Sequence, residues 1–244
     1  MIKDGLKETG EINSFLMIGQ SNMCGRGDIG DVEEIVNENC FMLRMGRWQP
    51  MSEPINADRA IKGIEFASGV CLAASFADEL NKKTGKKIGL IPCADGGTKL
   101  SQWMPGELNY DHAVYMSNLA MRTSEIKAIL WHQGESDCDC DENVDTYKKR
   151  FIKMITALRK ELKNESLPVI IGELCENMGE RWNMKDRPLK LNKVFYEIEK
   201  ELPFCKVVSA KELELKRDGI HFNSESLRAF GKRYFEKYAE FIKE

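Results

Sequence analysis

The sequence predicts an α/β protein in which a mostly parallel sheet is covered by helices on both faces. Three observations carry that expectation. Short continuous apolar runs bounded by glycine or proline read as strands buried on both sides. Between them lie longer segments whose apolar residues recur every three or four positions, the stripe of a surface helix. The chain of 244 residues, 42% hydrophobic and 31% charged with 7 prolines, is of a size and composition that folds around its own core. That composition excludes intrinsic disorder and collagen-like order. No linker, repeat or low-complexity segment interrupts it, so residues 1–244 read as one domain.

The elements follow in order. Phe15–Ile18 is the first apolar run, closed by Gly19. Gly69–Lys83 is a helix with Val70, Ala73, Ala74, Ala77 and Leu80 on one face, and Gly85 stops it. Ile88–Ile91 is the second strand. Asp111–Ser124 is helical and Ile126–Trp131 is the third strand. Asp141–Lys163 is the clearest helix, striped by Val144, Tyr147, Phe151, Met154, Leu158 and Leu162. Pro168–Gly172 is the fourth strand, Asp186–Glu201 a helix and Cys205–Val208 the fifth strand. The last helix runs from Ser224 to Ile242 behind an Asn223 N-cap, with Leu227, Phe230, Tyr234, Tyr238 and Phe241 as its stripe.

Charge and cysteine usage narrow the function. The 36 basic and 39 acidic residues are mixed along the chain and leave a net charge of -3, without the basic excess of a nucleic-acid binder. No apolar run approaches the roughly 20 residues of a membrane helix. Met1–Gly5 is polar and has no signal-peptide core, which predicts a cytoplasmic chain unless a leader has been cut away. The 8 cysteines form no CxxC pair and read as buried thiols. Cys138 and Cys140 share a loop, but a zinc site wants further ligands at suitable spacing.

In a parallel α/β sheet, ligands bind beyond the carboxyl ends of the strands. Four polar segments fall there. Gly19-Gln20-Ser21-Asn22-Met23 puts a serine on a tight turn after the first strand, with no lysine or glycine spacing of a phosphate loop. Asp95-Gly96-Gly97-Thr98 follows the second strand and offers backbone N–H groups, or is a plain turn. His132-Gln133-Gly134-Glu135 follows the third. There Gln133 can donate to a developing oxyanion and Glu135 can accept a proton or orient a partner. His132 is a candidate base whose neighbour Trp131 suggests packing instead. Asp218-Gly219-Ile220-His221 precedes the last helix, and its spacing lets the carboxylate fold back onto the imidazole.

These four segments resemble the four blocks of the SGNH hydrolase superfamily. More narrowly, they resemble the sialate O-acetylesterase-like and carbohydrate esterase family 6 acetylesterases, with the blocks in order from Phe15 to His221. The resemblance implies a three-layer α/β/α sandwich, flavodoxin-like, with about five strands. It implies Ser21 as nucleophile, His221 as base and Asp218 as the carboxylate behind it, with Glu135 a supporting or alternative acid that proximity in sequence disfavours. The oxyanion hole is expected from Ser21, Gly96 or Gly97, and the Gln133 side chain. Asn22, Trp48, Asn56 and Trp103 are the expected sugar contacts, with ordinary packing an equal alternative for Trp48 and Trp103. The resemblance implies removal of acetyl from a small O-acetylated saccharide, without metal or organic cofactor and without nucleic-acid or membrane partners. A broader lipid or thioester hydrolase and a non-catalytic glycan-binding protein are the competing readings.

Overall fold

The computed structural model describes residues 12–56, 68–179 and 182–242. Met1–Gly5 lies outside them. The strands are β1 (Ile12–Gly19), β2 (Cys40–Arg44), β3 (Arg47–Pro50), β4 (Ile88–Pro92), β5 (Ser124–His132), β6 (Val169–Gly172) and β7 (Cys205–Val208). The helices are α1 (Ser21–Cys24), α2 (Leu72–Thr84), α3 (Leu108–Ala120), α4 (Asp141–Glu161), α5 (Arg187–Glu201) and α6 (Ser224–Ala239). The strands form one sheet in the order β3-β2-β4-β1-β5-β6-β7. Every neighbouring pair is parallel except β2 with β3.

The five expected strands are present, and the hairpin β2–β3 raises the count from about five to seven. Its turn is Met45–Gly46, with φ of 50° and 75°. Such a turn needs left-handed backbone at both positions, which glycine accepts without strain and methionine does not. Hence no ordinary turn signal marks it. The helix expected over Asp111–Ser124 starts and ends earlier. Ser124 opens β5 instead, its Oγ bonded to Ser14 Oγ at 2.9 Å and to the Ala120 carbonyl at 2.8 Å. The last helix begins where expected, because Asn223 Oδ1 accepts the Ser226 N–H at 2.8 Å, and it stops at Ala239.

Helices cover both faces. α2 and α6 pack on one another, and Phe15 of β1 meets Phe76 and Tyr238 edge-on at 4.9 and 5.1 Å between ring centres. On the other face α4 packs with α3 and α5, and Trp131 of β5 meets Trp103 and Phe151 at 5.6 and 5.4 Å. Each large apolar side chain buried this way contributes roughly 1.5–3 kcal/mol. The cysteines of this core are inert: burial foremost pushes the Cys71 thiol up to about 12. Among the described residues no helix is long and apolar enough to cross a membrane.

The topology places the site. After β1 the chain builds the sheet to one side through β2, β3 and β4, then returns past β1 to build β5, β6 and β7 on the other. The direction reverses at β1, so the carboxyl ends of β4, β1 and β5 frame the switch point. Ser21, the 94–98 loop and the 132–137 loop all lie there.

Candidate active site

The turn after β1 is a single helical turn entered through extended backbone at Gln20. The Met23 and Cys24 N–H groups both bond the Gln20 carbonyl at 2.9 Å, while Ser21 N–H, at the start of the turn, has no intrahelical acceptor. Ser21 is only 5% exposed.

His221 arrives from the segment before α6. Gly219, at φ 74°, lets that segment reverse tightly enough for Asp218 to fold forward. Asp218 Oδ1 accepts the N–H groups of Ile220 and His221, both at 2.9 Å. Its Oδ2 faces His221 Nδ1 at 2.9 Å. The other ring nitrogen, Nε2, lies 2.9 Å from Ser21 Oγ. With Nδ1–H donating to Asp218, Nε2 is left to accept the serine O–H, the arrangement that activates a hydroxyl. Partial burial raises the Asp218 carboxyl, but the two backbone N–H groups and His221 outweigh it and hold it below the usual carboxylate range. It therefore stays ionised opposite the imidazole.

Gly96 lies against the serine. A Cβ built on Gly96 would stand 3.7 Å from Ser21 Cβ and 2.8 Å from Arg26 Nη2. Only a glycine lets the loop come this close without displacing Arg26, whose Nη1 is bonded to the Gly25 carbonyl at 2.9 Å and to Ser68 Oγ at 3.1 Å. Gly97 is exposed at the crest of the same turn. The Gly96 backbone thus lies beside the serine.

Gln133 differs from expectation. It is fully buried, and its Nε2 faces Asp137 Oδ2 at 2.7 Å, the Thr98 carbonyl at 3.0 Å and Gln20 Oε1 at 3.2 Å. Its Oε1 accepts the Tyr147 O–H at 2.7 Å. An amide has two protons, and both are engaged. The side chain is a tie between loops rather than a donor open to a substrate oxyanion. Asp137 continues the tie, accepting the Leu100 N–H at 2.8 Å and Arg150 Nη2 at 3.0 Å. Sequence reasoning missed Gln20, a buried side chain whose Oε1 is held by Gln133 Nε2 and by the Ser136 N–H, each at 3.2 Å, so that it joins the first loop to the third.

Glu135 is also fully buried and does not reach His221 Nδ1, which Asp218 occupies. Glu135 Oε1 accepts Asn22 Nδ2 at 2.7 Å and lies 3.4 Å from His132 Nε2. Burial raises this carboxyl, yet the nearby His132 imidazole and the Asn22 amide bring it below its ordinary value. His132 itself is packed edge-on between Phe222 and Phe230, as its neighbour Trp131 suggested, and takes no part in the serine's hydrogen bonds.

Three of the four expected sugar contacts are turned inward, and the fourth is at the wrong end of the sheet. Asn22 is buried, donating to the Ile220 carbonyl at 3.0 Å as well as to Glu135 and accepting the Phe222 N–H at 3.0 Å. It straps the His221 segment to the turn that carries Ser21. Asn56 donates to the Ala94 carbonyl at 3.1 Å and braces the second loop. Trp103 is 1% exposed and bonds Thr98 Oγ1 at 3.0 Å. Trp48 bonds Thr123 Oγ1 at 3.1 Å, just before the start of β5, so it lies at the amino ends of the parallel strands, opposite the site.

The tryptophan that does lie at the site is Trp182. Its ring is 57% exposed and its Nε1–H donates to the Asp218 carbonyl at 3.0 Å. The sequence signal was there to be seen: a lone tryptophan in a polar loop after the fourth apolar run. Among the described residues no group of three or more His, Cys, Asp or Glu is placed to hold a metal ion.

Comparison with known proteins gives the family and the fold. Residues 11–240 match the family described as carbohydrate esterase, sialic acid-specific acetylesterase. A probable carbohydrate esterase of Arabidopsis thaliana is 29% identical over 241 residues, covering 92% of this chain and 89% of that protein. An Arabidopsis thaliana crystal structure superposes with a TM-score of 0.84 at 27% identity, covering 94% of this chain and 98% of that one. The crystal structure of NanS shares the fold, with a TM-score of 0.76 at 16% identity over 96% of this chain and 98% of that one.

Proposed function

Because this chain belongs to the carbohydrate esterase family described as sialic acid-specific acetylesterase, we propose that it removes O-acetyl groups from a saccharide through a Ser21–His221–Asp218 triad and an acetyl-enzyme. The observation that carries the reading is the unbroken line from Ser21 Oγ to His221 Nε2 and from His221 Nδ1 to Asp218 Oδ2, 2.9 Å at each step. As Ser21 Oγ attacks the acetyl carbonyl, His221 Nε2 takes its proton and then gives it to the departing sugar alcohol. Asp218 fixes the imidazole tautomer and stabilises the imidazolium. The oxyanion is received by the Ser21 N–H and backbone N–H groups of the Gly96–Gly97 turn. Water, deprotonated by the same His221, then releases acetate and restores the serine.

The test is acetate release from a panel of acetylated xylo-oligosaccharides, O-acetylated sialic acids and simple alkyl acetates, by the native protein and by Ser21→Ala. Release from one saccharide class that falls by about 10⁴-fold or more in Ser21→Ala supports the reading. Undiminished release by Ser21→Ala rejects the serine. Hydrolysis confined to long-chain esters rejects the substrate class and favours a lipid hydrolase.

A further inference from the structure

We propose that Trp182 is the platform on which the sugar ring of the substrate lies, a subsite that rests on the reading of this site as a saccharide acetylesterase. The other three tryptophans are occupied within the fold: Trp131 and Trp103 are buried, and Trp48 is bonded to Thr123 at the opposite end of the sheet. Trp182 leaves 57% of itself in water and sits beside the triad, because its Nε1–H is fixed on the Asp218 carbonyl at 3.0 Å. Other large apolar side chains are exposed, such as Val36, Met45 and Leu108, but none of these carries a polar group that anchors it to the Asp218–His221 segment.

The ring is also held in place before any ligand arrives. The Trp182 and Met184 N–H groups both bond the Gly179 carbonyl at 3.1 Å, and Met178 and Met184 on either side are buried. A rigid aromatic side chain with its N–H already satisfied presents only its apolar surface. The ligand chemistry that fits such a surface next to an ester-cleaving serine is a pyranose, whose axial C–H groups make one apolar face. A ring seated there is tied, through Asp218, to the same segment that carries His221. Holding the sugar at that point positions its acetyl group relative to Ser21.

The test compares Trp182→Ala and Trp182→Phe on an acetylated xylo-oligosaccharide, on an O-acetylated sialic acid and on methyl acetate, which has no ring to stack. In Trp182→Ala, kcat/KM on the preferred saccharide is expected to fall about tenfold further than on methyl acetate. Trp182→Phe, which keeps a ring and loses the N–H, is expected to recover most of that difference. Equal losses on both kinds of substrate, with Phe no better than Ala, overturn the proposal and leave Trp182 as a tether for Asp218. No loss on either overturns it as well. A second measurement keeps this separate from the proposed function. In Ser21→Ala, which binds without turnover, the saccharide is expected to protect the exposed Trp182 fluorescence from acrylamide, with no such protection in the Ser21→Ala, Trp182→Phe double variant. Saccharide cleavage by the native protein without protection sinks the platform alone. Absence of saccharide cleavage sinks the function reading before any Trp182 variant is made, and absence of protection then sinks the platform with it.

Discussion

Two polar clusters meet at the carboxyl end of the sheet, built from the same kinds of side chain. One is Ser21, His221 and Asp218, each with some access to solvent. The other, directly behind it, is Asn22, His132, Gln133, Glu135 and Asp137, all fully buried. Each contains a histidine near a carboxylate: His221 with Asp218 at 2.9 Å, and His132 with Glu135 at 3.4 Å. What separates them is depth and partners. In the front cluster the Ser21 hydroxyl meets a histidine that is itself partly open to solvent. In the rear cluster the polar atoms of Asn22 and Gln133 are taken up by other parts of the chain, so they hold loops together. A polar motif at a strand end is therefore assigned by its depth and its partners, not by its residue types.

The comparison breaks most visibly at its front edge. Asp218→Asn keeps the shape but permits the wrong imidazole tautomer, and kcat is expected to fall by about 10⁴-fold. Steady-state kinetics on the preferred acetylated saccharide checks this, with the melting temperature close to that of the native protein because the side chain is partly exposed.

The rear cluster should respond in the opposite sense. Gln133→Ala leaves the buried Asp137 carboxylate and Tyr147 hydroxyl each short of a partner. The cost is about 3 kcal/mol, or roughly 6–12 °C in melting temperature for a chain this long. Differential scanning calorimetry reads it. A variant with native stability but a hundredfold loss in kcat would return Gln133 to the oxyanion hole.

How far this division was legible in the sequence depends on the range of the contacts. The five parallel strands read from the sequence announce themselves because burial on both faces demands continuous apolar runs, as in Phe15–Ile18 and Val169–Ile171. The Asp218–His221 contact was legible because the two are three residues apart and Gly219 supplies the bend. The rear cluster was not. Asn22 is 113 residues from its partner Glu135, and Gln133 is 35 from Thr98, so a buried strap and an open donor look the same in sequence. Trp48 and Trp103 were attractive sugar contacts only while their depth was unknown, and Trp182 was overlooked because its neighbour Asp218 is 36 positions away. The hairpin β2–β3 escaped because a methionine occupies a left-handed turn position.

A smaller effect sharpens the contrast through pH. Glu135 is held below its ordinary value of 4.5 in the folded chain. A carboxyl depressed by folding stabilises the native state above its unfolded value, and that contribution is lost as pH falls through the folded value. The stability advantage of the native protein over Glu135→Gln should thus be constant above about pH 5 and shrink on acidification below about 4.5. Thermal melts of the pair between pH 3 and 7 check it. A gap that widens in acid contradicts the direction assigned to Glu135.

The most direct measurement of the division is the rate at which a fluorophosphonate labels Ser21, followed by intact mass in the native protein, Asp218→Asn and Glu135→Gln at a temperature where all three are folded. This rate reads activation of the hydroxyl without substrate binding or product release. The account expects one adduct, on Ser21, with labelling slowed by about 10³-fold or more in Asp218→Asn and by less than about tenfold in Glu135→Gln. Labelling that survives in Asp218→Asn but collapses in Glu135→Gln would contradict it, and would make the buried carboxylate the acid that drives the serine.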